Sequence, residues 1–118
     1  MIINIDDRVK RTAAIFNSLG FKKPESKVLA YLFQNEGLHT YREIELGVDL
    51  RQPEVSTASK SLEGQGWVVQ KIMEDARRPR GRPQVGLGLA MPKDMLKDKL
   101  IEMANKGHQE TVIMIRSL

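Results

Sequence analysis

At Gly66 the spacing of apolar residues changes, and that change decides what this chain can fold into. Upstream of it, apolar residues recur every three or four positions, the period of helices buried along one side. Immediately downstream, Trp67-Val68-Val69-Gln70-Lys71-Ile72-Met73 is rich in strand formers, and Gln84-Val85-Gly86-Leu87-Gly88-Leu89 alternates small or polar with apolar residues. Between the two lies Arg77-Arg78-Pro79-Arg80-Gly81-Arg82-Pro83. This stretch is too long for a two-residue hairpin turn, so it is expected to be an extended loop at the tip of two antiparallel strands.

The helical part divides at its punctuation. A first helix is expected from Asp6 or Asp7, either of which can cap it, to Gly20, with Val9, Ala13 and Phe16 inward. Pro24 and Glu25 open a second, apolar over a wide face through Val28, Leu29, Tyr31, Leu32 and Phe33, and Gly37 stops it. Thr40 followed three residues later by Glu43 is a capping box, so a short third helix should turn Tyr41, Ile44 and Val48 inward. Gly47 is expected to take the left-handed conformation that closes it. After a tight turn with Leu50 as a plug, a fourth helix should run from about Gln52 to Gln65. Two adjacent helices joined by a short turn form a helix-turn-helix, and a hairpin straight after the second supplies a wing. The fold class expected is mainly α with a small antiparallel β-hairpin. Residues 1–91 would form a winged helix-turn-helix domain (helix-turn-helix about 40–66, wing about 67–90) and 92–118 a C-terminal dimerisation helix.

The charge is unevenly spread. The net is +4, yet residues 1–50 carry seven Lys/Arg against seven Asp/Glu, whereas 51–90 carry seven against four. From Ala76 to Ala90 there are four arginines and no acid, the footprint of a polyanion partner. On a helical wheel, Val55, Ala58 and Leu62 anchor the fourth helix to the core, with Ser59 towards the buried side. Pro53, Ser56, Thr57, Lys60 and Gly64 point away. A helix lying in the major groove needs such a face, because bulky residues hold the backbone off the base edges. Arg51 falls at the capping position, where arginine is a poor choice, and is read as a phosphate contact; Gln52 is a candidate base reader. Proline holds the 77–83 segment extended, and a narrow A·T-rich minor groove attracts arginine. Arg80 and Arg82 flanking Gly81 are therefore assigned to the minor groove, and Arg77 and Arg78 to phosphates. Arg42 and Lys71 complete the expected DNA-binding set.

Pro79-Arg80-Gly81-Arg82-Pro83 resembles the core of an AT-hook. From Thr40 to Leu89 the chain resembles winged helix-turn-helix regulators of the MarR, ArsR and TrmB-like groups. The likeness rests on Arg51-Gln52-Pro53-Glu54-Val55-Ser56 and on Ser61-Leu62-Glu63-Gly64-Gln65-Gly66-Trp67-Val68 at the exit into the wing. It implies a compact, archaeal-type, homodimeric transcriptional regulator of double-stranded DNA. ArsR-type metal sensors use cysteines or clustered histidines. This chain has no Cys, and His39 and His108 stand far apart, so no metal or other cofactor is expected.

Leu96, Leu100, Met103, Gly107, Thr111, Met114 and Leu118 recur at spacings of four and three. An unbroken helix of that length would reach about 38 Å at 1.5 Å per residue, too long for one small domain to cover. This stripe is read as a homodimer seam, with Leu96 and Leu100 also packing on their own domain and Gly107 able to break the helix in two. Enzymatic activity is not expected: there is no GxxxxGK[ST] loop, GxSxG elbow or HExxH motif. The N-terminus does not read as a signal peptide and no membrane span is expected; the absence of cysteine fits a reducing, cytoplasmic setting. The rival reading is a winged-helix module that binds protein or RNA, since fold alone does not settle function.

Overall fold

A computed structural model describes residues 6–73, 84–105 and 109–118 (for Asp6 and 109–112, the backbone alone). The chain order is α1 (Asp6–Ser18), α2 (Lys23–Gln34), β1 (His39–Thr40), α3 (Tyr41–Val48), α4 (Gln52–Gly64), β2 (Val68–Met73), β3 (Gln84–Leu89), α5 (Lys93–Ala104) and α6 (Gln109–Arg116). The molecule is mainly helical, with one small antiparallel sheet ordered β1-β3-β2.

Helices α1 and α2 pack along each other over the core, where Phe16 meets the Phe33 ring edge-on at 5.9 Å. Phe21, in the connector between them, lies edge-on to Trp67 at 5.6 Å and so ties the start of the hairpin to the helical layer. The register of that hairpin sets Val68 opposite Leu89, Gln70 opposite Leu87 and Ile72 opposite Val85. Because side chains alternate across a strand, these residues share one face, and it turns Val68 and Leu87 into the core.

Three expectations are corrected. The sheet is not the hairpin alone, because His39-Thr40, just ahead of α3, is a short strand pairing with Leu87 and Gly86. Thr40 still caps α3 as its capping box requires: Glu43 N–H donates to Thr40 Oγ1 at 3.1 Å and Thr40 N–H to Glu43 Oε1 at 3.3 Å. The left-handed residue that closes α3 is Asp49 (φ 54°, ψ 53°), not Gly47. Asp is among the few side chains that tolerate this conformation, and its N–H donates to Glu45 O. Gly47 lies inside the helix, where a Cβ would run into the Tyr31 ring. Its lack of a side chain lets α3 approach α2 closely.

The third correction concerns the end of the chain. The stripe expected on one long helix is divided between two. α5 ends at Ala104, with Asn105 N–H donating to Ile101 O at 2.9 Å, and α6 begins at Gln109. The two helices contact each other, and α6 also touches α1. Leu96, Leu100, Ala104 and Ile115 are all buried in the same core as Phe16 and Leu29. Leu96 and Leu100 thus fill their own domain. Met103 and Met114 stay partly exposed, Leu118 is half-buried, and Gly107 and the side chain of Thr111 lie outside the described residues.

Among the described residues, no helix is long and apolar enough to cross a membrane.

Candidate nucleic-acid interface

Helix α4 is held from behind. Val55, Ala58, Ser59 and Leu62 are buried, so the inner face expected from the wheel is the one that meets the core. A second clamp comes from Glu25, which sits in the first turn of α2 and is only 6% exposed. Its carboxylate accepts from Lys22 N–H at 3.2 Å, from the Ser61 hydroxyl, and from Gln65 Nε2 at 3.4 Å. Hydrogen bonds to an ionised group are the stronger kind. One buried carboxylate therefore caps α2 and fixes the far end of α4 to it.

The outer face of α4 is left uncommitted. Gln52, Pro53, Thr57, Lys60 and Gly64 are exposed and Ser56 is half-buried. Arg51 occupies the N-cap in extended conformation (φ −87°, ψ 157°), and its side chain makes no capping bond. The start of the helix is secured by Glu54, whose Oε1 accepts from Arg51 N–H at 3.2 Å, and by Pro53 in the first turn. The Arg51 guanidinium is thus free of any duty to the helix. Arg42 on α3 and Lys71 on β2 are also exposed. Among the described residues none of Arg42, Arg51, Lys60 and Lys71 forms an ion pair; the pair present there joins His39 to Glu43 at 3.1 Å. Arg77, Arg78, Arg80, Gly81 and Arg82 lie outside the described residues.

Two contacts set the hairpin relative to the helices, and neither is apparent from motif spacing. Gln70 Nε2 on β2 donates to the Tyr41 hydroxyl on α3 at 2.7 Å, 29 residues away in sequence. Burial pushes the Tyr41 phenol above its ordinary value, and the nearby Glu63 charge adds to this, so the hydroxyl stays neutral. The second contact is at His39. Its Nδ1 faces Glu43 Oε2, and its Nε2 lies 3.0 Å from Asn35 O and 3.1 Å from Glu36 O. The ring thereby joins the end of α2, the start of α3 and the strand beside β3. Glu43 titrates below the ordinary carboxylate range, chiefly through the His39 hydrogen bond and then through Thr40, with burial opposing.

The chain matches no protein-family model and no curated protein.

On the other face of the hairpin, Lys71 stands opposite Gly86. A Cβ at Gly86 would meet Met73 Sδ at 2.7 Å and Leu38 Cβ at 3.0 Å, so a side chain there would push Met73 and Leu38 aside. One exposed cation was missed at the sequence level. Lys22 borders a shallow groove between α2 and α4 that Pro53, Thr57 and Ser61 also line, which brings it beside the outer face of α4. Nothing in the spacing of Lys22 could have shown this, since the groove joins segments some 30 residues apart. Among the described residues no three His, Cys, Asp or Glu side chains gather as a metal site would require.

Proposed function

We propose that this chain is a winged helix-turn-helix regulator that binds double-stranded DNA as a homodimer. In this reading α3 and α4 are the helix-turn-helix, α4 lies in the major groove, and the β2–β3 hairpin is the wing. The observation that carries it is the outer face of α4. That face is small and polar, bounded by cations without ion-pair partners among the described residues, and anchored from behind by buried apolar residues and by Glu25. A helix so held can meet base edges without reorganising, which keeps the entropic cost of docking low.

Arg51, Lys71 and Arg42 then meet phosphates, Lys22 joins them from α2, and Gln52, Ser56, Thr57 and Lys60 face bases, Lys60 with a guanine or a phosphate in reach. Arg80 and Arg82 enter the minor groove, with Arg77 and Arg78 on phosphates. Fluorescence anisotropy with an A·T-rich duplex tests this. Binding should weaken with salt at a log–log slope of about −0.9 per phosphate contacted, and Arg51→Ala should flatten the slope by about one contact. A slope that Arg51→Ala leaves unchanged, or a preference for duplex RNA, counts against the assignment.

A further inference from the structure

Ser59, on the inner side of α4, is fully buried, and among the described residues its Oγ has no hydrogen-bond partner. A serine costs stability at such a position. Alanine has the higher helix propensity and no hydroxyl to strip of water. The other buried positions of α4, Val55, Ala58 and Leu62, are apolar as the core requires. A hydroxyl kept here needs a purpose, and buried polar atoms without partners are rare enough to ask for one.

Tyr41 supplies it. The residue stands in the first turn of α3, half-buried against the same core. Its oxygen accepts from Gln70 Nε2 on β2 at 2.7 Å. A phenol that accepts still has its own proton to give. Burial, and after it the charge of Glu63, raise the titration of this phenol, so the proton stays in place; the side chains of Gln70 and then Ser59 work against that rise as hydrogen-bonding neighbours. Ser59 and Glu63 are four residues apart on α4, one above the other on the same side, so the hydroxyl of Tyr41 lies against that stretch of the helix.

We infer that the Tyr41 hydroxyl donates to Ser59 Oγ while it accepts from Gln70, and that Tyr41 is thereby the positioning residue that holds the β2–β3 hairpin and α4 at one relative angle for DNA. The relay runs from the hairpin amide through the phenol of α3 to the helix that meets the bases. This rests on the DNA-binding reading above and adds to it. Two elements that meet one duplex bind best when their relative angle is set beforehand, because ordering them on docking costs affinity. Gln70 is exposed, so water competes for its amide in the free protein and the outer bond of the relay adds little to stability. A duplex that spans α4 and the hairpin shields the gap between them, and the same bond strengthens as water leaves.

Thermal melts of the full chain test the relay. In the wild type, where Ser59 accepts from Tyr41, Ser59→Ala should leave the melting temperature unchanged or lower it. In Tyr41→Phe the serine has lost its donor, and Ser59→Ala should raise the melting temperature. Equal shifts in the two backgrounds, of either sign, overturn the relay. Fluorescence anisotropy on a DNA duplex tests the positioning. Gln70→Leu should weaken binding about fivefold, the scale of one hydrogen bond, while its melting temperature hardly moves. A contact that served stability alone would not separate the two readouts in this way. The loss should vanish when Gln70→Leu is made in Tyr41→Phe, which already lacks the hydroxyl. A loss that persists there means that Gln70 meets DNA directly, and unchanged affinity in Gln70→Leu means that the tie does not position the hairpin; either result overturns the positioning role and leaves the DNA-binding reading standing. Wild-type protein that binds no duplex defeats that reading, and the positioning role with it, whereas the melts judge the relay independently.

Discussion

A missing methyl group at Gly47 sets how closely two helices pack. Substituting Ala there improves helix propensity by up to about 1 kcal/mol. The new Cβ, however, would occupy the space of the Tyr31 ring. That ring is half-buried and stacks edge-on to His39 at 5.1 Å, so its displacement would also disturb the joint between α2, α3 and β1. Overpacking of this kind costs about 1–3 kcal/mol, which exceeds the gain in propensity. Gly47→Ala should therefore lower stability by roughly 1–2 kcal/mol. Gly64→Ala is the matched control. A Cβ there meets nothing within 4 Å, so the same change should be neutral or stabilising by up to about 1 kcal/mol. Urea midpoints for the two variants would show opposite shifts; a stabilised Gly47→Ala would mean that the Tyr31 ring gives way freely.

At the scale of elements, the joint at His39 is where acid should loosen the contact between α2, α3 and β1. The Glu43 carboxyl titrates lower in the folded protein than in an unfolded chain, through its bond to His39. A group depressed in this way adds stability above its unfolded value, about pH 4.3, and loses it as pH falls through the lower folded value. The melting temperature of Glu43→Gln should thus sit below that of the wild type at pH 6–7, and the two curves should converge as acid titrates Glu43. Because the Glu43 side chain is 49% exposed, solvent screens the pair and the gap should be small. Curves that run parallel down to pH 3 would show that the pair contributes nothing.

The same region shows what could be read from the chain beforehand. The Thr40–Glu43 box and the buried stripe of α4 were legible because each is a local rule with fixed spacing. β1 was not, because a two-residue strand has no period and is defined only by its partners on β3, Leu87 and Gly86, far along the chain. The Glu25 clamp was hidden for a related reason. Lys22 in place of Ser or Thr obscures the capping box, and the Ser61 hydroxyl and Gln65 amide that complete the carboxylate's shell arrive through tertiary packing. At the interface, the outer face of α4 was readable as a pattern. The Tyr41–Gln70 tie and the approach of Lys22 required the fold.

For the whole molecule, the division of the C-terminal stripe redistributes the surface available to a partner. Leu96 and Leu100 are consumed by the core, which leaves Met103 at 38% exposed, Met114 at 41% and, outside the original stripe, Ile113 at 70% on α6. Single exposed apolar residues need no explanation, but Ile113 and Met114 are neighbours on α6, the helix that packs against α1, and under the homodimer reading they are what a second copy would cover. Under the dimer reading this surface and the DNA contacts are coupled, since a two-fold pair presents two copies of α4 to successive turns of a duplex. Ile113→Asp buries a charge in any such contact yet sits in solvent within one protomer, so it should yield a folded monomer by light scattering at micromolar concentration. The monomer reaches only half the phosphates, and the log–log slope of binding against salt should fall to about half the wild-type value. A variant that stays dimeric would move the contact elsewhere. One that becomes monomeric with its full salt slope would mean that each protomer already makes every phosphate contact alone, and the two-fold arrangement would have no part in reading DNA.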